Sequence, residues 1–228
     1  MTPAKRVMDL ALGLLMAVCT APSLLLIALV ILLVDGRPVF YSSERMRTPV
    51  RSFRLIKFRT MTIGSDDAGV SGGHKSRRLT RCGRFLRRTR LDELPQIWNV
   101  VAGDISLVGP RPPLRTCVEA NPEIYELVLQ SRPGITGLAT LYFHRHEERL
   151  LAECNSAEEA GIVYARRCVA RKARLDLIYQ RRQSLGMDLR LLMLTAAFPL
   201  RVVLGQLRPV LHRYSLRGIL PHSLSRAR

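Results

Sequence analysis

Residues 77–112 read RRLTRCGRFLRRTRLDELPQIWNVVAGDISLVGPRP, which combines dense arginine, an adjacent carboxylate pair and a Gly-Pro-Arg-Pro turn. Asp92 and Glu93 are the only acids between Asp67 and Asp104. Seven arginines come just before them: Arg77, Arg78, Arg81, Arg84, Arg87, Arg88 and Arg90. Carboxylates in so positive a field are expected to stay ionised. Such acids hold a metal ion, attack an electrophile or take a proton, so the stretch predicts a site that handles phosphate groups.

An ordinary helix start is the alternative explanation of the acid pair. Asp-Glu shortly before Pro95 suits the first turn of a helix, because the helix dipole favours acidic side chains there. An isolated pair of this kind is most often structural. The surrounding arginines favour the functional interpretation here.

Composition indicates a folded chain with anionic partners. The 228 residues are 47% hydrophobic, enough for one domain or for a domain with an anchor. The net charge of +18 is uneven, being 0 over 1–35, +11 over 36–115, −5 over 116–159 and +12 over 160–228. Arginine accounts for 32 of the 36 basic residues and suits bidentate phosphate contacts.

Cysteines and histidines give weaker signals. The five cysteines are scattered and form no C-x-x-C pair, which argues against a disulfide framework or a zinc site and favours a reducing cytoplasm. His144 and His146, followed by Glu147 and Glu148, are candidate metal ligands, but nothing nearby completes a recognisable spacing.

Leu10 to Val34 is a run of 25 uncharged residues and predicts a membrane segment. It exceeds the roughly 7–15 residues of a signal-peptide core. A straight helix of this length extends about 37 Å, enough to cross a hydrocarbon core of about 30 Å. Pro22 at its midpoint predicts a kink, with Thr20 and Ser23 offering hydroxyls to freed backbone groups. A re-entrant helix, which returns to the face it entered from, and a spanning helix both remain open.

Charge predicts the orientation. Seven basic residues from Arg37 to Arg59 follow the segment, against Lys5 and Arg6 before it, so the bulk of the chain is expected on the cytoplasmic side of the membrane. The predicted division is a membrane anchor at 1–35, a catalytic domain at 36–200 and a basic tail at 201–228. The tail is expected to lie on anionic membrane lipids.

The remaining pattern predicts a mainly helical α+β fold. Strands at 37–42 and 50–61 form a small hairpin, and the glycine-rich 64–76 is a loop. Arg77 to Arg90 has the spacing of an amphipathic helix lying among lipid head groups, beside a compact catalytic domain.

Three further helices are predicted. One begins at Asn121 and Pro122 and ends near Gln130. Ser156 and Glu159 form a capping box for a long helix that ends near Gly186. The last helix begins at Asp188 and is interrupted by Pro199.

These segments together resemble the bacterial sugar transferase family, the monotopic phosphoglycosyl transferases that begin glycan assembly on a polyprenyl phosphate. The matching pieces occur in family order over roughly 5–200, and the longest of them is ungapped. They are KRVMD at 5–9, the proline-centred apolar segment, RPVFYSSER at 37–45, FRLIKFRTM at 53–61, residues 79–112, RPGITG at 132–137 and LDLIY at 175–179.

The resemblance implies transfer of a sugar phosphate from a UDP-sugar to undecaprenyl phosphate, with release of UMP. Asp92 matches the family's nucleophile and would form a covalent glycosyl-phosphate intermediate. Glu93 would assist as base or metal partner, and Mg²⁺ would bridge Asp92, Glu93 and the diphosphate. The sugar and the glycan pathway, such as exopolysaccharide, O-antigen, capsule or glycoprotein, stay undetermined.

Motif position extends the implied site to substrate-binding residues. These are Lys57, Arg59, Arg111, Arg132 and Asp176. The chain departs from the family pattern at Arg90, where serine is common, and at 138–140, where Leu-Ala-Thr replaces Trp-Ala-Gln. An acidic insert at 146–161 also precedes the LDLIY helix. These departures leave the sugar donor open.

A membrane-tethered basic protein that binds anionic lipid or nucleic acid without catalysis is the alternative function. Only 6% of the residues are aromatic, and none is interleaved with the basic runs as single-strand binders favour. Nucleic acid is therefore not the expected partner.

Overall fold

The computed structural model describes residues 1–62 and 78–203, and side chains up to residue 197. Its helices are α1 Pro3–Val34, α2 Arg81–Thr89, α3 Ile97–Ala102, α4 Arg115–Ala120, α5 Pro122–Val128, α6 Leu138–Ala152, α7 Ala157–Val163, α8 Ala170–Arg182 and α9 Leu185–Val203. A 3-10 helix spans Leu91–Gln96, and a π-helical segment spans Tyr164–Val169. The strands are β1 Phe40–Met46, β2 Ser52–Phe58, β3 Ser106–Val108 and β4 Gly134–Thr136.

The prediction of a mainly helical fold with a small hairpin is confirmed. β1 and β2 pair antiparallel, with Tyr41 opposite Lys57 and Phe40 opposite Phe58. The two phenylalanine rings stack with centroids 5.3 Å apart. The predicted loop at 64–76 and the tail beyond residue 203 lie outside the described residues.

Several predicted boundaries were wrong. α2 begins at Arg81, where the Thr80 hydroxyl accepts a hydrogen bond from the Gly83 N–H. The helix capped by Ser156 passes through a π-helical segment and ends at Arg182. α9 continues through Pro199, which was predicted to interrupt it. Local spacing alone does not decide whether a helix tolerates a proline. Sequence patterns also missed helix α6 and strands β3 and β4. The two strands pair with each other although they are far apart in the chain.

α1 is the one helix in the described ranges that is long and apolar enough to cross a membrane. The apolar part of the helix is almost wholly exposed. The helix continues through Pro22, and Thr20 Oγ1 donates 2.7 Å to the Met16 carbonyl. Exposed leucines on a helix of this length are suited to lipid.

The N-terminal turns of α1 are anchored by buried polar contacts. Lys5 Nζ lies 2.6 Å from Asp188 Oδ2, and the Tyr179 hydroxyl donates 2.6 Å to the other oxygen of Asp188. Asp9 accepts hydrogen bonds from Ser106 Oγ at 2.7 Å and from a backbone N–H of β3. Buried charges need such partners. These contacts join α1 to α8, α9 and β3.

The C-terminal turns of α1 pack on the same folded unit. Ile31 is buried against Phe58 of β2 and Leu86 of α2. Arg59 then donates hydrogen bonds of 2.6 to 2.7 Å to three backbone carbonyls just after the helix, those of Asp35, Gly36 and Pro38. Both ends of the apolar helix are therefore held by one domain.

Two glycine-containing motifs meet through the parallel pair β3–β4. The Gly109 N–H donates 2.8 Å to Thr136 O, and the Gly134 N–H donates 2.8 Å to Pro110 O. A Cβ atom at Gly134 would overlap the backbone of Gly109, so the close approach requires glycine. This junction fixes the loop that carries Arg111.

Candidate active site

The acid pair lies on the 3-10 helix that follows α2. α2 ends at Arg90, which adopts a left-handed conformation with φ 61°, and the chain then turns into Leu91–Gln96. Asp92 and Glu93 do occupy the first turn of a helix, as the structural alternative predicted. Asp92 is only 7% exposed, however, and Glu93 is surrounded by cations. Helix capping alone does not account for these contacts.

Three cations hold the Glu93 carboxylate. Arg111 Nη2 lies 2.9 Å from Oε1, Lys57 Nζ lies 3.3 Å from the same oxygen, and Arg90 Nη2 lies 3.5 Å from Oε2. Burial opposes ionisation of Glu93, but these cations outweigh it and keep the pKa of Glu93 well below its usual range. Glu93 is therefore a fixed, ionised anchor.

Asp92 has a different environment from its neighbour. Within the described residues, no group donates a hydrogen bond to its carboxylate. Burial raises the pKa of Asp92, Lys57 lowers it and Glu93 raises it further. Nothing in the sequence distinguished the two acids. In the structure Glu93 has strong ionic partners, whereas the carboxylate oxygens of Asp92 are available to an incoming electrophile.

Lys57 reaches the site from β2 because Asn99 fixes that strand against α3. The Asn99 side chain accepts from the Ile56 N–H at 3.1 Å and donates to the Arg54 carbonyl at 2.8 Å, as a neighbouring strand would. Burial lowers the pKa of Lys57 to about 8, against the opposing effect of Glu93.

The predicted substrate-binding residues separate into two groups. Lys57 and Arg111 meet at Glu93. Arg59 instead binds backbone carbonyls after α1, and Arg132 lies beside Gly103, away from the carboxylates. Burial and the neighbouring Arg47 and Arg6 lower the pKa of Arg132.

Asp176 lines a cavity that begins at Arg111. The cavity has a volume of about 150 Å³ and lies between β1, the loop after β3, α4, α5, α6 and α8. Its polar lining residues include Arg45, Glu147 and Lys172. Burial raises the pKa of Asp176 to about 7, with Lys172 opposing. The cavity extends the site away from the carboxylate pair.

Several charged residues lie around this site that the sequence patterns had placed elsewhere or had suggested only as metal ligands. Arg87 lies on α2, the helix predicted to lie among lipid head groups; its Nε donates 3.0 Å to Thr60 Oγ1, and its charge acts on Asp92. Glu147 lines the cavity from α6. His144, one turn earlier, lies 3.3 Å from Glu148, and burial with Arg90 and Arg111 lowers its pKa to about 4. The i, i+3 spacing of 144 and 147 was the available signal, but α6 itself was not predicted.

The acid pair suits a magnesium ion that takes some of its ligands from the protein and the rest from a bound substrate. Magnesium is commonly bound by one or two carboxylates together with substrate phosphates and water. Asp92 and Glu93 supply two carboxylates, and the Asp92 oxygens have no competing donor among the residues described. No set of three or more His, Cys, Asp or Glu residues suited to an all-protein metal site occurs in the described part of the chain.

Comparison with known proteins gives one family and several relatives. The profile of the family described as Bacterial sugar transferase matches residues 1–201. Undecaprenyl-phosphate glucose phosphotransferase of Komagataeibacter xylinus is 35% identical over 199 residues, which is 84% of this chain and 35% of the relative. UDP-glucose:undecaprenyl-phosphate glucose-1-phosphate transferase of Xanthomonas campestris pv. campestris is 35% identical over 212 residues, 89% of this chain and 39% of the relative.

A shorter relative is matched over more of its own length. The uncharacterized sugar transferase EpsL of Bacillus subtilis (strain 168) is 39% identical over 137 residues, 60% of this chain and 67% of the relative. The chain thus spans little more than a third of the two longer relatives, 35% and 39% of their lengths.

Proposed function

The chain belongs to the bacterial sugar transferase family, and from this premise we propose that it transfers a sugar phosphate from a UDP-sugar to undecaprenyl phosphate, releasing UMP. The name of the Xanthomonas relative specifies transfer of glucose 1-phosphate from UDP-glucose to undecaprenyl phosphate, and that of the Komagataeibacter relative specifies an undecaprenyl-phosphate glucose phosphotransferase. The observation that carries the proposal is the asymmetric acid pair. Glu93 is fixed by three cations, and the adjacent Asp92 carboxylate accepts no hydrogen bond from the residues that the structure describes.

The first step uses Asp92 as the nucleophile. One of its carboxylate oxygens attacks the phosphorus that bears the sugar, and the bond from that phosphorus to the bridging oxygen breaks. UMP leaves with the bridging oxygen, and an acyl phosphate linked to the sugar remains on Asp92. Covalent catalysis of this kind divides one difficult transfer into two easier steps.

The second step restores the enzyme. A phosphate oxygen of the lipid attacks the same phosphorus, the bond to Asp92 breaks, and the sugar is left on a lipid diphosphate. Lys57, Arg90 and Arg111 supply positive charge beside the anionic phosphates in both steps. Their contacts with Glu93 hold them in place before substrate arrives.

Asp92 and Glu93 would hold the magnesium ion. When bound, it would reduce the repulsion between the carboxylate and the phosphates and orient the leaving group. The cations around Glu93 would offset the remaining negative charge.

α1 enters and leaves the cytoplasmic face of the bacterial inner membrane as a re-entrant helix. The support is that Lys5 and Asp9 near one end, and Ile31 near the other, are buried in one domain. A helix that crossed the bilayer would separate its ends by about 30 Å of hydrocarbon. The arrangement keeps Asp92 near the depth of the lipid phosphate, and nearby anionic lipids would bind the arginine-rich surface.

A UMP-release assay tests the function directly. The full chain is reconstituted with undecaprenyl phosphate and Mg²⁺ and given a panel of UDP-sugars. We expect UMP release with at least one donor, and its loss when the metal is chelated. A basic protein that only bound lipid or nucleic acid would release no UMP with any donor, and its binding would persist in chelator.

A further inference from the structure

The cavity beside Arg111 is a continuation of the catalytic centre. Arg111 contacts Glu93 with one end of its guanidinium and also lines the cavity. A dry cavity of about 150 Å³ is known to hold one six-membered ring of benzene size. The volume here is about 150 Å³, which is on the scale of a single ring.

The walls carry convergent polar groups that suit a polyhydroxylated ring. Lys172 Nζ donates 2.8 Å to Glu147 Oε2 and 3.1 Å to the Tyr164 hydroxyl. Asp176 is only 7% exposed and faces the same space. Burying charged groups is costly for folding, and a pocket with a few such groups is the expected form of a ligand site. Carboxylates and ammonium groups make strong hydrogen bonds with hydroxyls.

The order of the two steps separates the sugar from the nucleotide. Phosphoryl transfer proceeds with the attacking and leaving oxygens roughly in line. UMP therefore leaves opposite Asp92, and the lipid phosphate must enter from that same side. UMP has to leave its position before the lipid phosphate enters there, whereas the sugar stays attached to the phosphorus through both steps.

Most of the cavity wall comes from elements that do not hold the membrane helix. α8 belongs to both, but it meets α1 at Tyr179, which is not a lining residue. Its apolar lining includes Tyr125, Val128 and Ala173, which belong to a cluster without α1 residues. α1 packs mainly on α2, α3, β3 and the 3-10 helix. In the described ranges, none of these four elements contributes a lining residue. A ring in the cavity would not obstruct entry of the lipid.

We infer that this cavity is the subsite for the donor sugar, recognised through Glu147, Lys172 and Asp176, and that it retains the sugar through both steps. The inference rests on the proposed transferase function. It also gives the acidic insert a role, because Glu147 reaches the cavity from α6 at the start of that insert.

The inference is tested by measuring binding to a variant that cannot carry out the reaction. Calorimetry compares UDP with UDP-glucose, UDP-galactose and their N-acetylamino counterparts on Asp92→Asn in nanodiscs with Mg²⁺. The same titrations are repeated with Glu147→Gln or Lys172→Met added. We expect the preferred UDP-sugar to lose about tenfold or more in affinity, or the order of sugars to change, with UDP affinity unchanged.

Two results would overturn the inference. A parallel loss of affinity for UDP and for every UDP-sugar would assign the cavity to the nucleotide, and unchanged affinities throughout would remove it from the site. Failure of the transferase function appears separately, as an absence of UMP release from the unsubstituted chain.

Matched variants guard against a folding artefact. Glu119→Gln makes the same chemical change on the exposed face of α4 and should leave every affinity unchanged. Thermal unfolding identifies a cavity variant that misfolds. Tyr164→Phe then replaces it, because this change removes one hydroxyl from the same wall and keeps the ring; we expect it to alter UDP-sugar affinity and not UDP affinity.

Discussion

Arg111 Nη2 lies 2.9 Å from Glu93 Oε1, and the same guanidinium forms part of the wall of the neighbouring cavity. The pKa of Arg111 is raised, chiefly by the charge of Glu93, and the pKa of Glu93 is lowered by Arg90, Arg111 and Lys57, so the pair is ionised at neutral pH. One side chain therefore links the acid pair, Asp92 and Glu93, to the cavity in which we place the sugar.

Replacing the nucleophile should abolish turnover. We expect Asp92→Asn to reduce UMP release by about a thousandfold or more, because an amide cannot form the acyl phosphate. With radiolabelled donor and no lipid acceptor, the unsubstituted chain should retain label on the protein and the variant should not. Glu123→Gln, on an exposed position of α5, is the control. Near-normal turnover of Asp92→Asn would show that another group attacks the donor.

The Lys57 ammonium should set the alkaline limit of activity. Its pKa is lowered to about 8, so raising the pH through 8 removes the positive charge that pairs with Glu93. We expect kcat/KM to fall above about pH 8. Lys57→Arg keeps its charge and should move that fall to higher pH, even if its maximum rate is lower. An alkaline limit that is the same in both proteins would exclude Lys57 as its source.

The Lys5–Asp188 pair should stabilise the junction between α1 and the domain. Both side chains are buried, so Lys5→Met leaves a carboxylate without its cation and should lower the free energy of unfolding by about 3–5 kcal/mol. Denaturant unfolding in detergent micelles measures this. Lys5→Met/Asp188→Leu should recover part of the loss, since no buried charge remains. Arg115→Met, which breaks an exposed pair with Glu44, should leave the unfolding midpoint unchanged.

Both ends of α1 should be accessible from one side of the membrane. Thr2 and Arg37 are exposed at the two ends of the helix. Thr2→Cys and Arg37→Cys should each react with a membrane-impermeant maleimide in inside-out vesicles and not in intact cells. The unsubstituted chain corrects for labelling of the native cysteines. Labelling of the two positions from opposite sides would establish a spanning helix instead.

Local patterns were sufficient where one segment determines its own structure. The uncharged run at 10–34 predicted α1, since an exposed apolar helix of that length needs no tertiary partner to be recognised in sequence. Alternation around a turn predicted the β1–β2 hairpin, whose strands are close in the chain. The stretch at 77–112 predicted that Asp92, Glu93 and Arg111 belong to one site, and in the structure Arg111 does lie beside Glu93.

The tertiary structure decided which cations contact the acid pair and which cavity lies next to it. Lys57 and Arg59 are two residues apart, yet one meets Glu93 and the other binds the carbonyls after α1. Glu147 and Asp176 come from α6 and α8 and converge on one cavity. The sequence by itself determined the apolar helix and the acid pair. Only the tertiary structure determined the partners of each charge, because ion pairs and cavities form between segments that are distant in the chain. No local sequence pattern indicates which distant segments will meet.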